Sequence, residues 1–268
     1  MTLTATQVRD LLARHDVRPS RALGQNFLID PNTARRIVRL AVVEPGTRVV
    51  EVGPGAGSLT VALLDAGAQV RAIELDRRLE PVLREVAGDR DVEVVVADAR
   101  TVDWKAELDG GGWVMVANLP YNVATPVVVR ALEEAAMIER FCVMVQREVG
   151  ERLAAGVGDA AYGAVSVKVA YYADAAVVGT VSPNVFWPKP KVESALVQLT
   201  RRVEAPVAVR DPDRLFALVR AGFATRRKTL RNTLGGFVDA ATFTRAGVDP
   251  GARAETLTLA DWARLSDA

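Results

Sequence analysis

Residues 48–57 read Arg48-Val49-Val50-Glu51-Val52-Gly53-Pro54-Gly55-Ala56-Gly57, an apolar run followed by glycine at every second position. The apolar run predicts a strand that is buried on both faces. Glycine lacks a β-carbon, so the backbone after the strand can turn sharply and approach a bound ligand. The spacing Gly-x-Gly-x-Gly differs from the dinucleotide-binding fingerprint, which has a further glycine where the helix begins. The segment therefore predicts a strand of an α/β sheet and a ligand-binding turn.

Four more apolar runs of strand length follow, and helical patterns fill the gaps between them. These runs cover residues 69–73, 92–97, 113–117 and 141–145. This alternation predicts a Rossmann-like, doubly wound and mostly parallel sheet. Two later strand-like runs, 175–181 and 194–199, are expected to close the sheet with an antiparallel edge.

The chain is predicted to have two domains. Past Arg202 the pattern changes to helices alone, after the loop 204–206 and the helix-start signal Asp211-Pro212. We therefore expect residues 1–204 to form a catalytic domain with an N-terminal helical extension. Residues 205–268 are expected to form a small all-helical domain.

The composition excludes several function classes. The formal net charge of the 268 residues is +1, so affinity for nucleic acid has to come from local clusters. The single histidine, His15, and the single cysteine, Cys142, leave neither a Ser-His-Asp triad nor a Cys/His metal cluster. We expect no metal, and we expect Cys142 to be a core thiol. Since signal-peptide and membrane-length apolar segments are lacking, the protein is predicted to be cytoplasmic, without membrane binding.

Acidic residues follow the second and third strands of the predicted sheet. Glu74 can accept hydrogen bonds from both hydroxyls of a ribose, and Asp98 can meet the amino group of an adenine. Together with the glycine turn, they predict a nucleoside cofactor without a pyrophosphate. S-adenosylmethionine (SAM) fits this description, and NAD remains the alternative ligand.

The tetrapeptide Asn118-Leu119-Pro120-Tyr121 follows another apolar run, at the strand end where ligands bind in open α/β sheets. The Asn118 oxygen can accept one hydrogen of an exocyclic amino group, and the Leu119 or Pro120 carbonyl can accept the other. The Tyr121 ring can stack on a flat base. The alternative is an ordinary strand-to-loop turn, because Asn-x-Pro is common in turns.

The sequence resembles the ribosomal RNA adenine N6-dimethyltransferase family over nearly its whole length. The resemblance rests on the glycine turn, the tetrapeptide and five further segments. These segments are Leu23-Gly24-Gln25-Asn26-Phe27-Leu28, Gln146-Arg147-Glu148-Val149-Gly150-Glu151-Arg152, Tyr162-Gly163, Phe186-Trp187-Pro188-Lys189-Pro190-Lys191-Val192-Glu193-Ser194-Ala195, and Arg226-Arg227-Lys228-Thr229-Leu230-Arg231-Asn232.

The resemblance implies roles for individual residues. The cofactor pocket would be formed by Asn26, Leu28, Gly53, Gly55, Glu74, Asp98 and Asn118, with Asn118 touching both cofactor and target. Tyr121 and Phe186 would stack on the two faces of a flipped adenine. The alternative for Phe186 is a core aromatic beside a proline-rich loop. We interpret Tyr162 as a packing residue.

Basic residues in two places are candidates for RNA binding. They are Arg18 and Arg21 near the N terminus and the cluster Arg226, Arg227, Lys228 and Arg231 in the small domain. Such clusters can hold RNA phosphates. A solvated helix face is the alternative for the second group.

Three functions remain open at this point. The resemblance favours SAM-dependent dimethylation of two adjacent adenines in the 3′-terminal hairpin loop of 16S rRNA, in the small subunit or its assembly intermediate, by a monomeric enzyme. The nearest alternative is a resistance-type methyltransferase that acts on an adenine of large-subunit rRNA. The third is a ribosome-assembly factor whose catalysis is dispensable.

Overall fold

The computed structural model describes residues 3–225 and 227–268, so Arg226 of the basic cluster lies outside the described residues. The chain divides into two compact units. The first unit contains Met1–Gly150 and Ala176–Arg201, and the second contains Glu151–Ala175 and Arg202–Ala268.

Nine strands and twelve α-helices occur in the described part of the chain. The strands are β1 Phe27–Leu28, β2 Arg48–Val52, β3 Gln69–Glu74, β4 Val92–Val96, β5 Trp113–Asn118, β6 Ile138–Gln146, β7 Ala173–Val181, β8 Phe186–Trp187 and β9 Ser194–Arg201. The helices are α1 Ala5–Arg14, α2 Pro31–Leu40, α3 Ser58–Asp65, α4 Glu80–Ala87, α5 Trp104–Glu107, α6 Ala124–Glu134, α7 Arg147–Ala154, α8 Ala164–Tyr172, α9 Pro212–Phe223, α10 Leu230–Leu234, α11 Ala240–Ala246 and α12 Leu259–Asp267.

The main sheet has the strand order β4-β3-β2-β5-β6-β9-β7. Strand β2 runs parallel to β3 and β5, and the pairs β3–β4 and β5–β6 are also parallel. Strand β9 runs antiparallel to β6. The predicted mostly parallel sheet with an antiparallel strand near its edge is therefore confirmed. The strand order reverses between β2 and β5, and ligands of such sheets bind at this switch point.

Local sequence signals explain how the first unit begins its helices and fills its core. The Asp30 carboxylate accepts a hydrogen bond from the Thr33 backbone N–H at 2.8 Å and caps α2, with Pro31 in the first turn. The core beneath α2 and α3 is apolar and includes Cys142, which confirms the predicted core thiol. Burial raises the pKa of this thiol to about 12, so it stays protonated at neutral pH.

A two-stranded sheet of β1 and β8 was not predicted from the sequence. Phe27 pairs with Trp187, and Leu28 pairs with Phe186. Each strand has only two residues, which is too short to produce a periodic pattern. This pairing covers one side of the core with Phe27, Leu28 and Phe186, all of which are buried.

The second unit is built around an apolar core of its own, with Trp262 and Leu215 completely buried. Tyr162 belongs to this core, where its hydroxyl donates to the Leu257 carbonyl at 2.9 Å, and this confirms the predicted packing role. The segment 151–175 packs with the C-terminal helices, whereas the sequence-based division assigned it to the catalytic domain. The reason is that the apolar residues of α8 complete the core of the second unit. The functional boundary near residue 205 remains a prediction.

The helices in residues 3–225 and 227–268 include none that is both long and apolar enough to span a membrane.

Candidate active site

A cleft lies at the carboxyl ends of β2, β3 and β5. It is lined by the glycine turn, by segment 22–28, and by the residues that follow β3, β4 and β5. Gly53 and Gly55 adopt φ angles of +68° and +60°, which residues with a side chain rarely adopt. A β-carbon at Gly53 would lie 3.2 Å from Cδ of Pro120, and one at Gly55 would lie 2.9 Å from the Phe27 ring. Glycine is therefore required at both positions for steric reasons as well as for the turn.

Glu74 ends β3 and is 6% exposed. One carboxylate oxygen accepts from the Gly55 backbone N–H at 3.1 Å, and the other accepts from the Asp76 N–H at 2.9 Å. These bonds fix the glycine turn against the second strand end. A carboxylate can accept about four hydrogen bonds, so both oxygens keep a site for a ribose hydroxyl. Burial raises the pKa of Glu74, opposed by these backbone hydrogen bonds.

Asp98 follows β4 and lines the same cleft, as predicted from its position. Its carboxylate is paired with the Arg100 side chain, whose Nη2 lies 2.6 Å from Oδ2, and Arg100 N–H donates to Oδ1 at 2.9 Å. Hydrogen bonds from Arg100 keep the pKa of Asp98 below its usual range. Asp98 is therefore an ionised acceptor that can take one further donor such as an adenine amino group.

Glu51 lies at the base of the cleft and is 1% exposed. Neither of its carboxylate oxygens has a hydrogen-bond partner among the described residues, and the buried Thr60 hydroxyl is also unpartnered there. Burial raises the pKa of Glu51 to about 8; the nearby Thr60 hydroxyl opposes this shift, and the Glu74 charge adds to it. A buried carboxyl without partners favours a cationic group beside it. SAM carries both an ammonium and a sulfonium, so this unpartnered carboxyl fits that cofactor.

Asn118 is the last residue of β5, and its amide nitrogen donates to the Asn26 carbonyl at 3.1 Å. This bond fixes the amide with Nδ2 toward segment 22–28. The Asn118 side-chain oxygen has no partner among the described residues, so it remains available as an acceptor within the cleft. Asn26 is itself held by a bond from its Nδ2 to the Gly24 carbonyl at 3.1 Å.

The turn after β5 supplies further groups to the cleft wall. The Pro120 carbonyl already accepts from the Val123 N–H at 3.1 Å. The Leu119 carbonyl accepts no hydrogen bond within the described residues, so it is the better second acceptor of the two. Tyr121 is half-buried and lines the cleft, with its hydroxyl 2.7 Å from Oγ of Ser194.

Phe186 is the predicted site residue that the structure does not bring to the cleft wall. It is 3% exposed and packs in the core of the first unit, opposite Leu28 in the β1–β8 pair. Leu28 itself lines the cleft, and its carbonyl accepts from the Ser58 hydroxyl at 2.5 Å. Stacking of Phe186 on a target base remains a prediction.

Three cleft residues were missed by the sequence analysis. Glu51 lies inside the apolar run, Arg100 is two residues past Asp98, and Gln25 donates to the Asp76 carboxylate at 2.9 Å. Only the position of Glu51 carried a signal, because a carboxylate in a buried strand requires an explanation. The other two are ordinary surface residue types in the sequence.

The predicted RNA contacts are distributed over both units. Arg18 and Arg21 are exposed in the first unit, just before the cleft segment 22–28. Arg227, Lys228 and Arg231 are exposed in the second unit, where Arg231 lies on α10.

We expect Glu74→Ala to raise the dissociation constant for SAM by about tenfold to a hundredfold, since it removes the carboxylate predicted to accept from both ribose hydroxyls. The variant also frees the Gly55 N–H, which loosens the glycine turn. Isothermal titration calorimetry with SAM measures the effect. Glu44→Ala removes the same charge from an exposed position in the turn before β2 and is the matched control. An unchanged dissociation constant for Glu74→Ala would contradict the ribose contact.

The fold and the cleft define a class I SAM-dependent methyltransferase. The chain belongs to the ribosomal RNA adenine dimethylase family, whose profile matches residues 17–268. It is 48% identical to ribosomal RNA small subunit methyltransferase A of Thermobifida fusca (strain YX), over 99% of this chain and 95% of that protein. The enzyme is therefore an rRNA adenine N6,N6-dimethyltransferase that uses SAM.

Two crystal structures share this architecture. The 23S rRNA methyltransferase ErmE superposes with a TM-score of 0.69 and is 29% identical, over 90% of this chain and 98% of ErmE. A dimethyladenosine transferase from Plasmodium falciparum superposes with a TM-score of 0.75, over 89% of this chain and 95% of that protein. At 24% identity, the second comparison supports the fold alone.

Proposed function

We propose that the enzyme dimethylates N6 of two adjacent adenines in the 3′-terminal hairpin loop of 16S rRNA, in the small ribosomal subunit or its assembly intermediate. The observation that carries the proposal is the amide of Asn118, which is fixed through its nitrogen and lines the same cleft as Tyr121. The 48% identity to a small-subunit enzyme favours 16S rRNA over 23S rRNA, since ErmE is 29% identical. We further propose that the enzyme acts as a monomer in the cytoplasm.

The chemistry depends on orienting a weak nucleophile. The lone pair of an adenine N6 is delocalised into the ring. Two acceptors, the Asn118 side-chain oxygen and the Leu119 carbonyl, would hold the two amino hydrogens and favour a pyramidal nitrogen. The lone pair then points at the methyl group. When bound, SAM supplies this methyl on a positively charged sulfur.

Methyl transfer would form the bond from N6 to the methyl carbon as the carbon–sulfur bond breaks, and the electron pair would stay on sulfur. The proton on N6 leaves afterwards to solvent, because an amide such as Asn118 cannot hold it. The rate enhancement therefore comes from positioning and electrostatics. A site without a general base can act twice on one nitrogen when the first methyl group fits.

The target base has to leave its stack before N6 can enter the cleft. Tyr121 would stack on one face of this base, and Phe186 remains a candidate for the other face after a rearrangement of β8. Arg18, Arg21, Arg227, Lys228 and Arg231 would hold RNA phosphates, together with Arg226. We propose residues 205–268 as the RNA-binding domain.

The decisive experiment supplies labelled methyl groups in SAM to undermethylated small subunits and, separately, to large-subunit rRNA. We expect N6,N6-dimethyladenosine in the small-subunit product alone. If label appears only in large-subunit rRNA, the enzyme is instead a large-subunit rRNA methyltransferase of the ErmE type. Label in neither RNA, with SAM still bound, would favour the assembly factor.

We expect Arg227→Glu combined with Lys228→Glu to weaken rRNA binding and to reduce the slope of log K against log salt concentration by about two, one for each phosphate that is no longer neutralised. Filter binding at several salt concentrations measures both quantities. The matched control is Arg210→Glu with Arg220→Glu, which changes the charge of the second unit equally at exposed positions outside the cluster. Equal salt slopes in the two double variants would show that the cluster does not bind RNA phosphates and is an ordinary solvated helix face.

A further inference from the structure

The far end of the Tyr121 side chain is held by a buried hydroxyl. Oγ of Ser194 lies 2.7 Å from the Tyr121 hydroxyl oxygen, and Ser194 has no exposed surface. Ser194 is the first residue of β9, where it pairs with Gln146 of β6 in the antiparallel ladder. Its position is therefore fixed by the backbone of the central sheet.

The near end of Tyr121 is fixed as well. Its backbone follows a tight turn in which the Val123 N–H donates to the Pro120 carbonyl at 3.1 Å, and the preceding Leu119 N–H donates to the Met144 carbonyl at 3.0 Å. A tyrosine side chain has only two rotatable bonds before its ring. With the Cα held by the turn and the hydroxyl held by Ser194, the direction of the ring's long axis is determined.

The Ser194 hydroxyl has no other hydrogen-bond partner in the described residues. A buried hydroxyl requires a hydrogen-bond partner, and among the described residues the Tyr121 hydroxyl is the one that Ser194 has. Ser194 does not itself line the cleft, so a direct contact with cofactor or base is not what this position provides.

We propose that Ser194 is a positioning residue, which fixes the long axis of the Tyr121 ring in the cleft wall so that a stacked adenine presents N6 to the methyl group. The inference rests on the proposed function of Tyr121 as a stacking residue. Because orientation matters most in the transition state, the loss of this hydrogen bond acts on kcat more than on KM or on SAM affinity.

The test is a double-mutant cycle with Ser194→Ala, Tyr121→Phe and the combined variant, assayed on undermethylated small subunits. Each single change removes one partner of the same hydrogen bond, and Tyr121→Phe keeps the ring. We expect each to lower kcat by about fivefold to tenfold, with the dissociation constant for SAM unchanged. The combined variant should be no slower than either single variant, because the two changes remove one interaction.

Thr200→Ala is the matched control, since it removes a hydroxyl from an exposed position on the same strand. It should keep the kcat of the unmodified enzyme. Multiplying losses in the combined variant, or an unchanged kcat for Ser194→Ala, would overturn the positioning role while leaving the proposed substrate intact. A parallel loss of SAM binding in Ser194→Ala would indicate a general disturbance of the cleft and would also overturn it.

A second measurement needs no RNA and tests the anchor if neither rRNA is methylated. The protein contains four tyrosines, so 3-fluorotyrosine incorporation gives a fluorine NMR spectrum that Tyr121→Phe can assign. We expect Ser194→Ala to shift the Tyr121 resonance and change its line width, as the hydroxyl end of the ring is no longer held. An unchanged Tyr121 resonance would refute the anchor independently of the substrate.

Discussion

Asn118→Ala is expected to lower kcat by about a hundredfold or more, while the enzyme stays folded. The substitution removes the side-chain oxygen that would orient the target amino group, and it removes the hydrogen bond to the Asn26 carbonyl. The acids Glu74 and Asp98 lie at the ends of other strands, where Gly55 and Arg100 donate hydrogen bonds to them. Catalysis without this acceptor relies on base stacking and on the Leu119 carbonyl alone.

Single-turnover methylation of undermethylated small subunits measures this effect without a contribution from product release. Asn32→Ala is the matched control, since it truncates an exposed asparagine on α2, away from the cleft. Circular dichroism establishes that the variants are folded. Turnover at the unmodified rate in Asn118→Ala would exclude the role assigned to this residue.

Glu51→Gln is expected to stabilise the cofactor-free protein at neutral pH. Burial raises the pKa of the Glu51 carboxyl from 4.5 to about 8, so the folded state retains a proton that the unfolded state releases. Above about pH 4.5 the free energy of unfolding therefore falls as pH rises, by about 1.4 kcal/mol per pH unit, and it levels off near the folded pKa. Glutamine has the same shape and no charge, so the variant avoids this loss.

At pH 7 this effect amounts to about 3 kcal/mol, which corresponds to about 6 °C or more in Tm for a protein of this size. Thermal unfolding of both proteins without SAM, from about pH 5 to about pH 8, measures the difference. It should be small at the acidic end and grow with pH, since all other titrating groups are common to both proteins. Parallel pH profiles would show that Glu51 is already ionised in the cofactor-free protein.

The same substitution, Glu51→Gln, is expected to weaken SAM binding. The Glu51 carboxyl would therefore lower the stability of the cofactor-free protein and raise its affinity for SAM. Its carboxylate oxygens, which have no hydrogen-bond partner among the described residues, make the cofactor-free protein less stable and at the same time favour a bound cation. A higher Tm together with a lower affinity for SAM in Glu51→Gln would confirm both effects. This trade between stability and ligand binding is common at functional sites.

The sheet could be read from the sequence because its strands are buried on both faces. Arg48–Val52 was predicted with its observed bounds, and the other parallel strands differ from their predictions by a few residues at the ends. Buried parallel strands produce continuous apolar runs, and the turns between them use glycine and cap residues that act locally. The same local rule located Glu74, Asp98 and Asn118 at strand ends.

Contacts over long sequence distances could not be read in this way. The Asn118 amide is fixed by Asn26, the Tyr121 hydroxyl by Ser194, and neither partner is marked by any local pattern. Phe186 belongs to a motif that predicts a stacking residue, yet the β1–β8 pairing buries it in the core. The placement of segment 151–175 in the second unit is of the same kind.

The sequence by itself determined the parallel sheet, the glycine turn, the acids at the carboxyl ends of β3 and β4, and the family. These features depend on periodicity and on motifs, which are properties of neighbouring residues. The tertiary structure alone decided the isolation of Glu51, the engagement of Asp98 by Arg100 and the anchoring of Tyr121. The exposure and partners of a polar group depend on which distant segments pack against it, and only the folded chain specifies them.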